Sequence, residues 1–528
     1  KEGVLMKKIV TKTTALGLTV ATAVSMVGCG SSNKADSAST QEVTAQSLGT
    51  ITVMTDTTAR QDNGGDDFWK QLEQVTGLSI KYVQPDHSGY LDAVANAFNS
   101  DSVPDIVQLS SDYYQQYAAN GMLWDMTDAW NNSEIKKSGR LKENAQAVID
   151  SLVVSGPDGQ NRLYGISAAS GNGCETYIKK TWLEECGIPV SDVQDKTLDF
   201  ETYYSMLKKM TDTRGHYVLS APGFISKEAP YTNYLPEFYQ QAQYTFYKNE
   251  AGKYVDGFSE QNMKNAIARI KRAVDDGVLD KETVNNTTSN SGNKFKTNDR
   301  ASETGIWTYW AGTWQNTLQI QLKNLGLGDG ELIRLKPIKE LGAYYDRIPG
   351  CWAITSDAKN PEALFKYFFE AMFDGDKGQT LWVYGAEDVH WTTKAGTVTL
   401  AGKEDDVSTF KEGEFHCLPK PGKESELWTR NCIDPLLLIT GWKDKDPGYD
   451  TVTSVARDSE EFFFKNSKMA QAVPVTEELT NSITDINNAR NYVIAQICLG
   501  YMSMDEGYQY YDKTVGNLVD SVLASLNK

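Results

Sequence analysis

The stretch that decides the fold runs from Ile51 to Leu109. Three short apolar segments stand in it: Ile51-Thr52-Val53, Leu78-Ser79-Ile80-Lys81-Tyr82 and Pro104-Asp105-Ile106-Val107-Gln108-Leu109. Helical patterns separate them. Phe68, Leu72 and Val75 recur at helical spacing and stop at Gly77, a residue suited to ending a helix. Leu91, Val94, Ala95 and Phe98 repeat the pattern before the third segment. Strand, helix, strand, helix, strand at this spacing predicts a parallel sheet covered by helices. In open α/β sheets, ligands sit beyond the carboxyl ends of the strands. The loops Asp56–Asp67 and Ser110–Tyr114 are therefore the first places to look for a site.

Toward the start, residues 30–49 are rich in Ser, Ala, Thr, Gln and Asn and read as a flexible tether. Before them, Lys7 and Lys8 precede an apolar run from Ala15 to Val27. The run is too short for a spanning helix, which takes ~20 apolar residues, and it has the pattern of an export signal. It ends in Ser25-Met26-Val27-Gly28-Cys29, which resembles the bacterial lipobox. That resemblance implies cleavage before Cys29 and a diacylglycerol on its sulfur; an ordinary secretory signal with an incidental cysteine is the alternative. Two acyl chains make such an anchor stable. Met6 reads as the true start and residues 1–5 as translated leader, because Lys1-Glu2-Gly3 can be encoded by a ribosome-binding sequence.

Toward the end, Tyr247 and Tyr254 flank Gly252 in an expected hairpin. Met263, Ala266, Ile267, Ile270 and Val274 form a helical stripe ending at Gly277. Asn360-Pro361 reads as a helix start, with Asn as the cap and Pro in the first turn. Leu364, Tyr367, Phe368, Ala371 and Met372 follow as one stripe. Leu479, Ile483, Ile486, Val493, Ile494 and Ile497 mark a long amphipathic helix. The length of 528 residues implies more than one core.

The net charge is −18. The first 28 residues carry four Lys and one Glu, which leaves the remainder at −21. Such a chain repels phosphate backbones, so nucleic acid is excluded as a partner. It also disfavours docking on anionic lipid, which suits a covalent tether. The seven cysteines lie at long, irregular spacings without a C-x-x-C, which disfavours zinc. Cys174, Cys186, Cys351, Cys417, Cys432 and Cys498 are expected as buried thiols.

Several segments together resemble the extracellular solute-binding lipoproteins of carbohydrate ABC importers. The likeness is to the family 1 type, in the large oligosaccharide-binding group of Gram-positive bacteria. The residues that carry it are Cys29 with its tether, Pro104-Asp105-Ile106-Val107, Leu163-Tyr164-Gly165-Ile166, Gly252-Lys253-Tyr254-Val255-Asp256-Gly257-Phe258-Ser259, Asp276-Gly277-Val278-Leu279-Asp280 and the run from Leu381 to Trp391. The resemblance implies an α/β, two-lobe periplasmic-binding-protein-like fold (type II) with discontinuous lobes joined by a hinge. The first lobe is expected over 50–167 plus 347–386 and the second over 168–346 plus 387–528. The first crossing is expected near Leu163–Cys174. The resemblance also implies an oligosaccharide ligand, ABC permease subunits as partners, no cofactor and a monomer. Some relatives bind calcium after the helix that follows the first crossing. The stretch Thr211–Tyr217 lacks the repeated acidic ligands such an ion needs, so no metal is expected.

Sugar recognition uses flat apolar rings for pyranose faces and short polar groups for hydroxyls. The sharpest signal is Trp307-Thr308-Tyr309-Trp310-Ala311-Gly312-Thr313-Trp314, with four large rings in eight residues. It suits a strand-to-helix turn facing a cleft, with Trp310 and Trp307 as ligand contacts, although Trp307 and Trp314 are also candidates for the core. Trp352 is either an opposing platform or a core residue. Asn63, Asp66 and Asp67 in the first loop, and Asp112 and Tyr113 in the third strand's loop, are candidates for hydroxyls; Asp66 alternatively caps a helix. Asn172, between Gly171 and Gly173, is a candidate contact beside the first crossing or part of a turn. His390 and Trp391 are as well explained by structure.

A secreted glycoside hydrolase is a competing class, but with 70 acidic residues a carboxylate pair can always be nominated. Gly-x-Ser-x-Gly, His-Glu-x-x-His and Walker motifs are absent, and only four His are present. A peptide binder on the same fold is the other alternative. The reading is a non-catalytic receptor.

Overall fold

The computed structural model describes residues 43–55, 65–85, 89–100, 102–138, 143–167, 171–225, 233–399, 407–420, 423–428, 454–471, 473–474 and 476–528. Cys29, residues 30–42 of the expected tether, Asn63 and Cys432 lie outside them. Residues 43–49, read from sequence as tether, instead belong to the fold, with a 3-10 turn at Ala45–Leu48 and Ala45 buried in the first core. Residues 43–528 form one compact unit.

The opening segment folds as its periodicity predicts. Strand β1 (Thr50–Met54) leads to α1 (Gly65–Thr76), β2 (Ser79–Val83), α2 (Tyr90–Phe98), β3 (Ile106–Leu109) and α3 (Ser111–Ala119). Gly77, at φ 71°, adopts the left-handed conformation that ends α1. The strands β2, β1 and β3 run parallel, with Val53 level with Tyr82 and with Ile106. Two later strands complete the five-stranded sheet in the order β2-β1-β3-β9-β4. These are β4 (Gly165–Ile166) and β9 (Cys351–Ile354), with β9 antiparallel to both neighbours. The core beside this sheet is aromatic. Phe68, Trp352 and Phe368 each meet Trp382 edge-on or tilted, with centroids 5.1–5.7 Å apart. Such pairs are worth ~0.5–1.5 kcal/mol beyond the area they bury.

A second sheet has three antiparallel strands in the order β6-β5-β7. They are β5 (Cys174–Lys179), β6 (Ile306–Trp310) and β7 (Leu332–Arg334). Helix α4 (Thr313–Asn324) follows β6. The main core beside the second sheet includes Trp182, Tyr203, Leu207, Phe238, Ile267, Val493 and Tyr511. The expected hairpin pairs Phe246–Lys248 with Tyr254–Asp256. The helix after it spans Gln261–Asp275. Strand β8 (Tyr344–Asp346) pairs in parallel with β10 (Ser467–Met469), which follows α5 (Ser454–Lys465). The final helices are α6 (Glu477–Cys498) and α7 (Met504–Leu526).

Three details differ from expectation. Asn360 starts its helix without a side-chain cap bond; its own backbone is left-handed at φ 52°. The apolar stripe after it contains a π-turn at Phe365–Phe369, which rotates the rings relative to a straight helix. The chain beyond residue 387, expected on the second lobe, packs first against the aromatic core of the first sheet. Gln71 of α1 exchanges hydrogen bonds of 3.0 and 2.9 Å with the Glu387 backbone, and Val389, Trp391 and Phe415 lie on that core.

Cys174, Cys186, Cys351, Cys417 and Cys498 are buried free thiols. Among the described residues, no helix is long and apolar enough to cross a membrane. Nor is any group of three or more His, Cys, Asp or Glu placed to hold a metal ion.

Candidate functional site

The chain passes between the sheets at β4 to β5 and again at β8 to β9. The two passages touch. The Arg347 amide donates to the Asn172 carbonyl at 3.1 Å, and Arg347 Nε donates to the Gly171 carbonyl at 2.7 Å. Only glycine permits this approach, since a Cβ on Gly171 would stand 1.6 Å from the Arg347 carbonyl oxygen. Gly173 also lies close to the second passage, with a built Cβ 2.3 Å from the Tyr345 carbonyl oxygen.

The turn from β6 into α4 meets these passages. Gly312 sits at φ 75° and ψ −127°, a conformation other residues avoid. The polar backbone atoms through the turn are held one by one. The Tyr177 hydroxyl donates to the Trp310 carbonyl at 2.9 Å. The Ala311 amide donates to the Gly173 carbonyl at 3.1 Å, and Asn172 Nδ2 donates to the Ala311 carbonyl at 3.2 Å. The Gly312 amide donates to Ser459 Oγ of α5 at 2.7 Å. A turn whose donors and acceptors are satisfied by side chains and by a neighbouring segment is rigid before any ligand arrives.

The four rings of this segment have separate fates, decided by the alternation of β6. Trp307 and Tyr309 share one face and stack at 4.1 Å, with Phe295 behind Trp307 at 5.6 Å. Trp307 is 2% exposed, so its reading as a ligand contact is corrected to core. Trp310 is on the other face, partly buried, with the Arg347 guanidinium 5.2 Å from its ring centre. Trp314, in the first turn of α4, is 46% exposed and stands edge-on to Tyr309 at 5.6 Å. Sequence reasoning left Trp314 out of the site; its position two residues after a helix-starting glycine was the available signal.

The remaining candidates divide. Trp352 is also corrected to core: it is 1% exposed in the centre of the first sheet, between Phe368 and Trp382. Asn172 is left-handed at φ 61°, and its side chain serves the backbone, bonding Ala311 and accepting from the Gly173 amide at 2.8 Å. Asp66 and Asp67 are exposed in the first turn of α1, where acidic groups suit the helix dipole. Asp66 also accepts a hydrogen bond from the Tyr82 hydroxyl. Asp112 and Tyr113 begin α3 rather than lying in a loop, and the Tyr113 ring meets Tyr117 edge-on at 5.6 Å.

Polar side chains missed by sequence reasoning gather beside the passages. Cys174, Asn233, Gln240, Gln243, Thr245 and Tyr345 line a cavity at the start of β5. Gln243 Nε2 donates to the Tyr345 hydroxyl at 2.5 Å. Amides and hydroxyls of this kind match the paired donor and acceptor character of a sugar hydroxyl. Arg347 uses Nε on Gly171, while its guanidinium faces the Trp310 ring and interacts by charge with Asp346. Below the surface lie three buried carboxyls, Glu175, Glu237 and Asp346. Burial pushes each of them up to about 7, against the opposing pull of hydrogen bonds and, for Glu175 and Asp346, of nearby arginines.

The structure thus has two sheets with separate cores, joined by crossing segments that the ring-bearing turn meets. Residues 67–328 match the family model of bacterial extracellular solute-binding proteins. The fold is shared with the sugar-binding protein MalE from Xanthomonas citri, at 14% identity and a TM-score of 0.55, over 90% of this chain and 98% of that one. The N-glycan transport solute-binding protein NgtS from Streptococcus pneumoniae matches at 14% identity and 0.54, over 90% and 99%. An ABC substrate-binding protein from Listeria monocytogenes, solved in complex with cycloalternan, matches at 13% identity and 0.51, over 90% and 98%. No curated protein sequence matches the chain significantly.

Proposed function

We propose that this solute-binding protein captures an oligosaccharide between its lobes and delivers it to the permease of an ABC importer. The observation that carries the reading is the rigid turn bearing Trp310 and Trp314 at the crossing segments. Two rings on one turn offer platforms for successive sugar units, and Arg347, Gln243 and Tyr345 supply hydroxyl partners nearby. Similar folds solved as sugar-binding and N-glycan transport proteins support the same ligand class. Asp66, Asp67, Asp112 and Tyr113 remain candidates on the first lobe, at the carboxyl ends of its strands. Closure follows from contacts on both lobes, because a ligand shifts the open–closed balance only by its differential affinity.

The protein is not an enzyme in this reading. A glycosidase places two carboxyls at the bond to be cut. Here the carboxyls with raised protonation, Glu175, Glu237 and Asp346, are 5% exposed or less. The first lobe takes 50–167 and 347–386 together with Glu387, Val389, Trp391 and Phe415, and the second takes 168–346 and the helices from Ser454 onward. Cys29 carries the lipid anchor, the source is a Gram-positive bacterium and the protein works as a monomer.

Calorimetry against a panel of oligosaccharides and peptides tests the proposal. Binding to at least one glycan is expected, with loss of most of the affinity in Trp310→Ala. Peptide binding without glycan binding would overturn the ligand class, and release of reducing ends would overturn the non-catalytic reading.

A further inference from the structure

One of the partners that hold the ring-bearing turn leads into the core. Ser459 Oγ accepts from the Gly312 amide at 2.7 Å and donates to Glu175 Oε1 at 2.7 Å. The direction is fixed by chemistry. The amide can only donate, so the Ser459 proton is left for the carboxyl. Glu175 is 0% exposed, and its Oε2 has no hydrogen-bond partner among the described residues. A side chain needed only to fill this space would be apolar or an amide, since a buried carboxyl with an unpaired oxygen is costly.

Glu175 sits among few titratable groups. On its own strand is Tyr177, whose hydroxyl holds the Trp310 carbonyl, the other end of the same turn. Tyr309 is its cross-strand partner on β6. Arg334 on β7 and Tyr344 on β8 interact with it through charge. On α5, Glu460 follows Ser459 and approaches Gly312, where a built Cβ would be 3.0 Å from Glu460 Cγ.

We infer that Glu175 is a positioning residue for solute binding: through Ser459 its carboxylate holds the Gly312 amide, and with it the turn carrying Trp310 and Trp314. The inference rests on that turn meeting the solute. A charged acceptor makes a hydrogen bond roughly twice as strong as a neutral one. When Glu175 takes a proton, Ser459 loses its charged acceptor and the turn loosens. Burial pushes this carboxyl up to about 7, so the change falls within an ordinary extracellular pH range.

Hydrogen exchange of the free full-length protein tests this, read on the peptide spanning Trp310 to Trp314 at pH 6 and pH 8 after correction for intrinsic rates. The parent is expected to be about tenfold better protected at pH 8, the equivalent of one ordinary hydrogen bond. Glu175→Gln is expected to show no pH dependence, and Ser459→Ala to exchange fast at both pH values. Glu237 and Asp346 titrate in the same range, so the decisive quantity is the difference between the parent and Glu175→Gln. An unchanged pH dependence in Glu175→Gln, or a flat response in the parent, would overturn the inference. Glu175→Gln is isosteric and keeps the test available where Ser459→Ala does not fold. A parallel titration with the glycan panel separates the two proposals. Absence of glycan binding alongside a Glu175-dependent turn removes the sugar reading alone. Glycan binding with equal pH dependence in parent and Glu175→Gln removes the positioning role alone.

Discussion

Replacing Gly171 by Ala tests the contact between the two crossing segments most directly. The new methyl would stand 1.6 Å from the Arg347 carbonyl oxygen and 2.5 Å from its carbon, so backbone must move. Gly171 is not among the residues with positive φ, and the effect is therefore one of contact and not of backbone strain. Separating the segments endangers two hydrogen bonds, Arg347 N–H to Asn172 and Arg347 Nε to Gly171. At ~1 kcal/mol each, plus ~1–3 kcal/mol for overpacking, the expected loss is about 3–5 kcal/mol. Asn172 also holds the Ala311 carbonyl, so the displaced segment carries the ring-bearing turn with it. Urea unfolding should show a lower midpoint, and glycan affinity should fall with it. Gly516→Ala is the control. Nothing lies within 4 Å of a Cβ there, and the helix α7 should gain up to ~1 kcal/mol. If Gly171→Ala unfolds at the parent's midpoint and binds as the parent does, the two passages are not tied as described.

Three further outcomes are expected. Trp314→Ala should weaken glycan binding about tenfold without lowering the melting temperature, because the ring is 46% exposed; Trp352→Ala should instead cost ~3–5 kcal/mol of stability, because that ring is buried in the core. Glu175, Glu237 and Asp346 bind protons more tightly when folded than when unfolded, where carboxyls titrate near ~4. Their contribution to stability is therefore full below about 4 and is lost as pH rises toward about 7, so the urea midpoint should fall between pH 5 and pH 8, and less so in a Glu175→Gln, Glu237→Gln double variant. This runs opposite to the tightening of the ring-bearing turn over the same range. Cys29→Ala should impair uptake by cells more than binding by purified protein, since a lipid and a short tether keep a receptor at high effective concentration near its permease; equal uptake would remove the anchor from the account.

What the sequence determined by itself is local. The alternation of apolar periods from Ile51 to Leu109 already specified a parallel sheet with covering helices, because strands and helices advertise their buried faces by spacing alone. The strand-to-helix turn at Trp310–Gly312 was visible for the same reason, as a run of rings broken by glycine. The fate of each ring was not. Trp307, Trp310, Trp314 and Trp352 are chemically alike, and only the packing of β6 and β9 against distant partners left two of them open and two buried. The partners that make the turn rigid come from Asn172 and Ser459, far away along the chain, and Arg347 reaches Gly171 from the other crossing segment. Periodicity reports which face of an element is covered, and it is silent on what covers it. Those long-range choices were made by close packing, which brings a glycine, an arginine and a buried carboxyl together at one turn.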